Sequence, residues 1–181
     1  MKKFSFIQRL RNKIRIKGNL YLDISSSAKL VNCIVYSQGV NNNLVIEEGT
    51  VLRNTNLEIL GDNSSIVIGK NCMIGHYNYL SAKEGRTLTI KDDCYLARNI
   101  KIMTSDGHPI YQNNQIINFS KDITLDNNIL VSDNVTILKG VYIGKGSVIG
   151  INATVTKNIS SNSIAAGNPA KVVKENILWK H

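Results

Sequence analysis

The fold is decided by the stretch from Leu125 to Val155, which reads LDNNILVSDNVTILKGVYIGKGSVIGINATV. Every sixth residue counted from Leu125 is aliphatic: Val131, Ile137, Ile143, Ile149 and Val155. The same step recurs earlier, from Ile68 to Leu80 and from Ile90 to Ile102. Because a helix with 3.6 residues per turn cannot keep a six-residue repeat on one face, the repeat indicates short strands.

Six residues make one short strand and a corner, three such sides close a coil, and stacked coils bury the aliphatic column. Gly, Asn and Asp recur at the expected corners, where they tolerate a left-handed backbone. We therefore predict an all-β chain forming a parallel β-helix over residues 23–160. The repeat is weaker from Leu30 to Leu60, and it breaks between Ile102 and Leu125, which predicts a loop at 105–121 that leaves the coils.

The composition is that of a folded, single-domain protein. The chain has 181 residues, 43% hydrophobic and 19% charged, which fits one folded domain and excludes a disordered chain. No long apolar run or signal-peptide core is present, so we predict a cytoplasmic protein. Three cysteines without a C-x-x-C pair suggest neither a disulfide framework nor a structural zinc site.

The positive charge is concentrated at one end. Of a net charge of +9, seven basic residues lie in the first 17 positions, where no acid occurs. Phe4, Ile7, Leu10 and Ile14 recur at the spacing of a short amphipathic helix, so residues 1–22 are predicted to form a basic N-terminal arm. The arm either packs on the domain or contacts an anionic membrane surface or glycan, which would place the protein at the inner membrane face. Nucleic acid is disfavoured, because the rest of the chain carries only about +2.

Two motifs carry a family resemblance. The stretches IGINATVTK (149–157) and AGNPAK (166–171) resemble the hexapeptide-repeat acyltransferases. This resemblance implies a left-handed β-helix, a homotrimer, acetyl-CoA as co-substrate and no metal. It also implies that residues 161–181 form a C-terminal extension that closes the CoA groove. The stretch TSDGHPI (104–110) looks like the active-site loop of the sugar O-acetyltransferase branch, in which a histidine is the general base.

Three histidines are available for that role. His181 is the terminal residue, and His76 lies within a repeat at a position that should face outward, typical of a surface residue. His108 lies in the predicted loop, where a neutral imidazole can accept a hydroxyl proton. We predict that His108 is the base, held by Asp106 or by a backbone carbonyl of the loop, and that the acceptor hydroxyl attacks the thioester directly.

For the co-substrate, the resemblance carries five residues onto the CoA groove of the C-terminal coils: Ser132, Thr156, Lys157, Asn168 and Lys171. The charges of Lys157 and Lys171 suit the phosphates of CoA. The chain departs from the family at Leu130, where tryptophan is common.

The sequence thus predicts an acetyl-CoA-dependent O-acetyltransferase with a carbohydrate acceptor, in the biosynthesis of capsular or other surface polysaccharide. Two alternatives stay open: an N-acetyltransferase of a nucleotide-linked amino sugar, which would use the same base and groove, and a non-enzymatic β-helix binding scaffold. A zinc-dependent carbonic anhydrase of similar fold is disfavoured, because only His76 and His108 lie within the repeat region.

Overall fold

The structure, a computed structural model, describes Phe4 and residues 6–180. In chain order its elements are α1 (Phe6–Arg11), β1 (Lys13–Ile24), β2 (Lys29–Val31), β3 (Ile34–Ile46), β4 (Val51–Arg53), β5 (Asn56–Leu60), β6 (Ser65–Ile68), β7 (Met73–Ile74), β8 (Tyr79–Lys83), β9 (Thr87–Ile90), β10 (Tyr95–Leu96), β11 (Lys101–Met103), β12 (Tyr111–Gln112), β13 (Gln115–Ile116), β14 (Ile123–Leu125), β15 (Leu130–Val131), β16 (Thr136–Ile137), β17 (Tyr142–Ile143), β18 (Val148–Ile149), β19 (Thr154–Val155), β20 (Ile164–Ala166) and β21 (Lys171–Lys174). No helix in this part of the chain has the length and apolar character needed to cross a membrane.

The strands stack in parallel into a three-sided prism. The first side holds β2, β4, β7, β10, β15, β18 and β20. The second side holds the start of β3 with β5, β8, β11, β16 and β19, and the third side holds the end of β3 with β6, β9, β14 and β17. Strand β1 pairs along β3 and with no other described strand, so it forms one end of the stack. The predicted all-β parallel β-helix is confirmed.

Aliphatic columns fill the prism. Along the first side, Leu52, Ile74, Leu96, Val131 and Ile149 lie one above another and are 0% exposed. Burying one such side chain contributes roughly 1.5–3 kcal/mol relative to leaving it in water. The six-residue apolar repeat therefore supplies the main stabilising term of the fold.

The length of a coil changes along the prism. Successive partners on the first side are 22 residues apart in the N-terminal coils, whereas Val131 and Ile149 are 18 apart in the C-terminal coils. The difference lies on the second and third sides: β5 and β6 have five and four residues, whereas β16 and β17 have two each. The weak repeat between Leu30 and Leu60 is explained by these longer coils.

Asparagine forms most of the corners. Of the non-glycine residues with a left-handed backbone, all are asparagine except Tyr77, Glu84 and Asp93 in the described part of the chain. Stacked amides also bond to each other, as in the 2.8 Å bond from Asn99 Nδ2 to Asn134 Oδ1. Asparagine is suited to these positions because its short side chain tolerates the left-handed region.

The N-terminal boundary differs from the prediction. The helix ends at Arg11, Ile14 belongs to β1, and the coils begin at Lys13 rather than at residue 23. Asn12 causes the change, because its Oδ1 accepts a bond from Cys33 N (2.8 Å) and its Nδ2 donates to a carbonyl of β2 (3.1 Å). Of the predicted apolar stripe, Phe4 is buried and Ile14 packs against the core, whereas Ile7 is 59% exposed. The arm residues 1–3 and 5 lie outside the described residues.

The C-terminal end also differs. The coils continue to Ala166, and β21 then returns antiparallel to β20, which ends the parallel stack. The following tail bonds to the corner between the third and first sides, where Trp179 Nε1 donates to Asn128 O at 2.9 Å and Ile177 N donates to Asn162 O at 2.9 Å.

Candidate active site

One loop leaves the prism at the corner between the second and third sides. It joins β11 to β14 and closes at its base, where Lys121 N donates to Thr104 O at 3.0 Å. Its tip is the β12–β13 hairpin, turned by Asn113 and Asn114 at φ values of 49° and 61°. The bounds agree with the loop predicted at 105–121, which we call the His108 loop.

Asn118 holds the His108 loop together. Its Nδ2 donates to His108 O at 2.9 Å and to Asp106 Oδ2 at 2.8 Å, and its Oδ1 accepts a bond from Ile110 N at 2.6 Å. Asn118, on the returning segment of the loop, thus hydrogen-bonds to the backbone of the outgoing segment at His108, the predicted base. Nothing in the sequence distinguishes Asn118 from the other asparagines of this chain.

Asp106 does not contact the ring of His108. Its carboxylate accepts a bond from Lys139 Nζ at 2.5 Å, and the same ammonium donates to Asn118 O at 2.6 Å. Burial opposes the ionised form, but the hydrogen bonds from Lys139 and Asn118 lower the pKa of Asp106. Asp106 was predicted to orient the ring of His108. In the structure it instead anchors the His108 loop to Lys139, which lies in the next coil.

His108 is exposed on this loop. It lines a cavity of about 260 Å³ together with Glu84, Pro109, Ile116 and Phe119. Its backbone is fixed by Asn118, while its ring bonds to none of the described residues. The imidazole is therefore presented to solvent from a fixed backbone, as a base that must reach a substrate requires.

A larger groove runs along the corner between the first and second sides. It has a volume of about 690 Å³, within the range of small-molecule sites. Its apolar lining includes Leu130 and Ile151, and its polar lining includes His76, Arg98 and Ser132. The structure therefore brings Ser132 and Leu130 together in one groove.

His76, which the sequence predicts to be a solvated or interface residue, is not fully solvated. It is partly buried, it lines the groove, and its Nδ1 lies 2.7 Å from Asn54 Nδ2. His76 is partly buried because it lies at a corner of the prism, where its ring lines the groove.

The other predicted CoA residues do not line the groove. Thr156, Lys157, Asn168 and Lys171 are all exposed on the last coil and the turn into β21. The described part of the C-terminal extension does not close the groove either, because it lies at the prism end and along a different corner. His181 lies outside the described residues.

The groove and the His108 loop lie at different corners of one chain. The groove residues follow first-side strands, whereas the loop connects the second side to the third. A single prism therefore does not bring His108 to Ser132.

The cysteines are unsuited to nucleophilic catalysis. Cys33, Cys72 and Cys94 are all buried. Burial raises the pKa of the Cys33 thiol, and the hydrogen bond with Cys72 together with burial raises the pKa of Cys94. The hydrogen bond with Cys94 lowers the pKa of Cys72, but the burial of this thiol keeps it from a substrate. A thiolate is the reactive form of cysteine, so Cys33 and Cys94 are not activated.

Comparison with known proteins points to one kind of enzyme. No family model matches the chain. It is 39% identical over 131 residues to a polysialic acid O-acetyltransferase of Escherichia coli O1:K1 / APEC, covering 68% of this chain and 42% of that protein. It is 32% identical over 187 aligned positions to a polysialic acid O-acetyltransferase of Neisseria meningitidis, covering 78% of this chain and 87% of that protein.

Among solved structures, the chain is similar to the polysialic acid-specific acetyltransferase NeuO. The identity is 33%, the TM-score is 0.73, and the match covers 94% of this chain and 89% of that one. The chain therefore spans less than half the length of the Escherichia coli relative but most of the length of the solved structure.

Proposed function

We propose a reaction for this chain from its family: it belongs to the hexapeptide-repeat acyltransferases, in the polysaccharide O-acetyltransferase branch. The proposed reaction transfers an acetyl group from acetyl-CoA to a hydroxyl of a capsular or other surface polysaccharide. One observation carries the proposal: Asn118 fixes the backbone of His108 and leaves its imidazole free at the surface. The relatives named polysialic acid O-acetyltransferases suggest an acidic glycan as acceptor.

In this reaction His108 is the general base. Its imidazole takes the proton of the acceptor hydroxyl while the oxygen attacks the thioester carbon. The C–S bond breaks, the acetyl group becomes an ester of the sugar, and CoA leaves as a thiolate that the imidazolium protonates. No covalent enzyme intermediate is needed, consistent with the burial of all three cysteines.

We propose that acetyl-CoA occupies the groove. Leu130 and Ile151 suit the pantetheine arm, and Ser132 offers a hydrogen bond. Lys157 and Lys171, exposed on the last coil, would meet the phosphates outside the groove lining. Thr156 and Asn168 are exposed on the same coil and complete the predicted set.

We propose a homotrimer, because the site is incomplete within one chain. Threefold packing of prisms can bring the His108 loop of one copy to the groove of the next. The loop also exposes a set of large apolar side chains that such packing would cover: Ile110, Tyr111, Ile117 and Phe119.

We place the reaction in the cytoplasm, at the inner face of the membrane. Helix α1 exposes Phe6, Ile7 and Leu10 beside Arg9 and Arg11, a combination that suits an anionic lipid surface. Removal of residues 1–11 should abolish cosedimentation with vesicles containing anionic lipid, and unchanged cosedimentation would contradict this contact.

The activity is tested with acetyl-CoA, a thiol reagent and a panel of acceptors including polysialic acid, neutral glycans and nucleotide-linked amino sugars. We expect thiol release with polysialic acid and a product whose acetyl group is removed by mild alkali, as for an ester. An alkali-stable product would indicate N-acetylation. His108→Gln should lose activity while keeping its unfolding midpoint, and full activity in that variant would refute the assignment of the base.

The shared site is tested by complementation. His108→Ala leaves the groove intact, and Ser132→Trp blocks the groove but leaves the loop intact. Coexpression should restore part of the activity if loop and groove come from different copies. No restoration, together with a monomer by light scattering, would contradict the trimer.

A further inference from the structure

We propose that a linear, carboxylate-bearing glycan lies along the corner between the first and second sides, towards the N-terminal end of the prism, and that Tyr77 provides the surface on which one of its sugar rings stacks. This inference rests on the proposed transfer to a polysaccharide. It adds the residues that hold the acceptor chain beyond the reacting sugar.

The corner carries a trough longer than the groove alone. A second cavity of about 440 Å³ is lined by Arg11, Lys13 and Asn54. The groove is lined by Arg53, the neighbour of Asn54 in the chain, so the two cavities adjoin. We call the second cavity together with the N-terminal end of the groove, at Arg53 and His76, the corner trough. The rest of the groove, at Leu130 and Ser132, is left to the proposed acetyl-CoA. The corner trough spans the first three coils, which suits a chain rather than a single sugar.

The corner trough is cationic. Arg11, Lys13 and Arg53 are exposed, and in the described part of the chain none of them pairs with a carboxylate. The lining of the two cavities contains one acid, Asp133, which lies in the groove and which Arg98 binds through Nη2 at 2.6 Å. A polymer bearing a carboxylate on each sugar is complementary to such a line of charges.

Tyr77 is the conformational outlier of this corner. Its φ is 63°, and the stacked positions in the following coils hold Asn99, Asn134 and Asn152 at nearly the same φ. An aromatic L-residue is disfavoured in this left-handed region, where asparagine is tolerated. Its ring is nevertheless 72% exposed, so it does not contribute to the core. Backbone strain retained for an exposed ring indicates that the ring has a function.

His76 connects the ring to the trough. The two ring centroids are 6.0 Å apart, at an interplanar angle of 53°. With the Asn54 amide as donor, Nδ1 of His76 is the acceptor, and the proton lies on Nε2. Nε2–H is then available to a carboxylate or hydroxyl of a sugar stacked on Tyr77.

The test measures polysialic acid binding in the His108→Gln background, where no turnover occurs. Tyr77→Asn should raise the unfolding midpoint, because strain is relieved, and weaken binding by roughly fivefold to tenfold through the lost stacking. Arg53→Gln should weaken binding and reduce its salt dependence. Two controls remove an exposed tyrosine and an exposed cation elsewhere, Tyr21→Asn and Lys145→Gln, and should bind like the parent.

Several results would overturn the inference. These are unchanged binding in Tyr77→Asn, equal losses in the two controls, a changed oligomeric mass in Tyr77→Asn, or equally tight binding of a DNA oligonucleotide of the same charge. Acetylation of polysialic acid that is insensitive to both trough variants would also overturn it while leaving the proposed function intact. Polymer binding with the expected losses but no acetyl transfer would support the trough and refute the proposed function.

Discussion

Replacing Asn118 by alanine tests whether the loop clamp serves catalysis. The change removes three side-chain hydrogen bonds, to Asp106, His108 and Ile110. At about 0.7 kcal/mol each for a partly exposed group, the closed loop loses about 2 kcal/mol. Since 1.36 kcal/mol corresponds to a factor of ten, the closed form becomes about 30-fold less favoured relative to open forms.

Because the loop lies outside the core columns, this loss should stay local. We expect kcat/KM of Asn118→Ala to fall by up to about 30-fold, with faster amide hydrogen exchange confined to residues 105–121 and an unchanged unfolding midpoint. The matched control is Gln112→Ala at the hairpin tip, whose side chain makes no hydrogen bond to the described residues. If Asn118→Ala keeps full activity, or if exchange in the loop is unaltered, the clamp does not position His108.

Three further changes test other parts of the structure. The hydrogen bonds of Asp106 lower its pKa, so its anchoring contribution is present above the unfolded value of about 3.9 and is lost as the pH falls through the lower folded value. Pepsin should therefore cleave the loop increasingly below that pH, and Asp106→Asn or Lys139→Met should remove this dependence. Gly75→Ala should destabilise the prism by about 2 kcal/mol, measured by urea unfolding, because its Cβ would lie 2.2 Å from a carbonyl oxygen of the next coil. Asn78→Ala should lower the free energy of unfolding by about 3 kcal/mol, because it leaves the buried Ile100 N–H and the part-buried Ala97 carbonyl without partners.

The repeat predicted the C-terminal coils well and the N-terminal ones poorly. A six-residue period runs unbroken over several sides only where each side has the same length, as between Val131 and Ile149. In the longer coils the informative spacing is 22, and Leu30, Leu52 and Ile74 display it. The first coils are therefore recognisable in the sequence by an aliphatic repeat of one whole coil, 22 residues, rather than of one side.

Only the loop of the candidate site was predictable from the repeat, because it is where the repeat is interrupted. The interrupted repeat located the His108 loop, and the motif resemblance, now supported by the relatives, identified its branch. The contacts that hold the loop were not predictable, because Lys139 is 33 residues from Asp106 and meets it only when coils stack. For the same reason, local spacing could not show that His76 lines a groove.

Among the described strands β1 pairs only with β3, and its other edge has a consequence for solution behaviour. A strand whose backbone groups face solvent on one side is a template on which another chain can add, and repeated addition would build filaments. Here Lys13, Arg15 and Lys17 alternate along that strand and are all exposed. Two molecules approaching end to end would oppose these cations, while at the other end β21 turns back and covers the edge of the first side. Charge at one end and a reversed strand on one side of the other end thus oppose repeated end-to-end stacking of prisms.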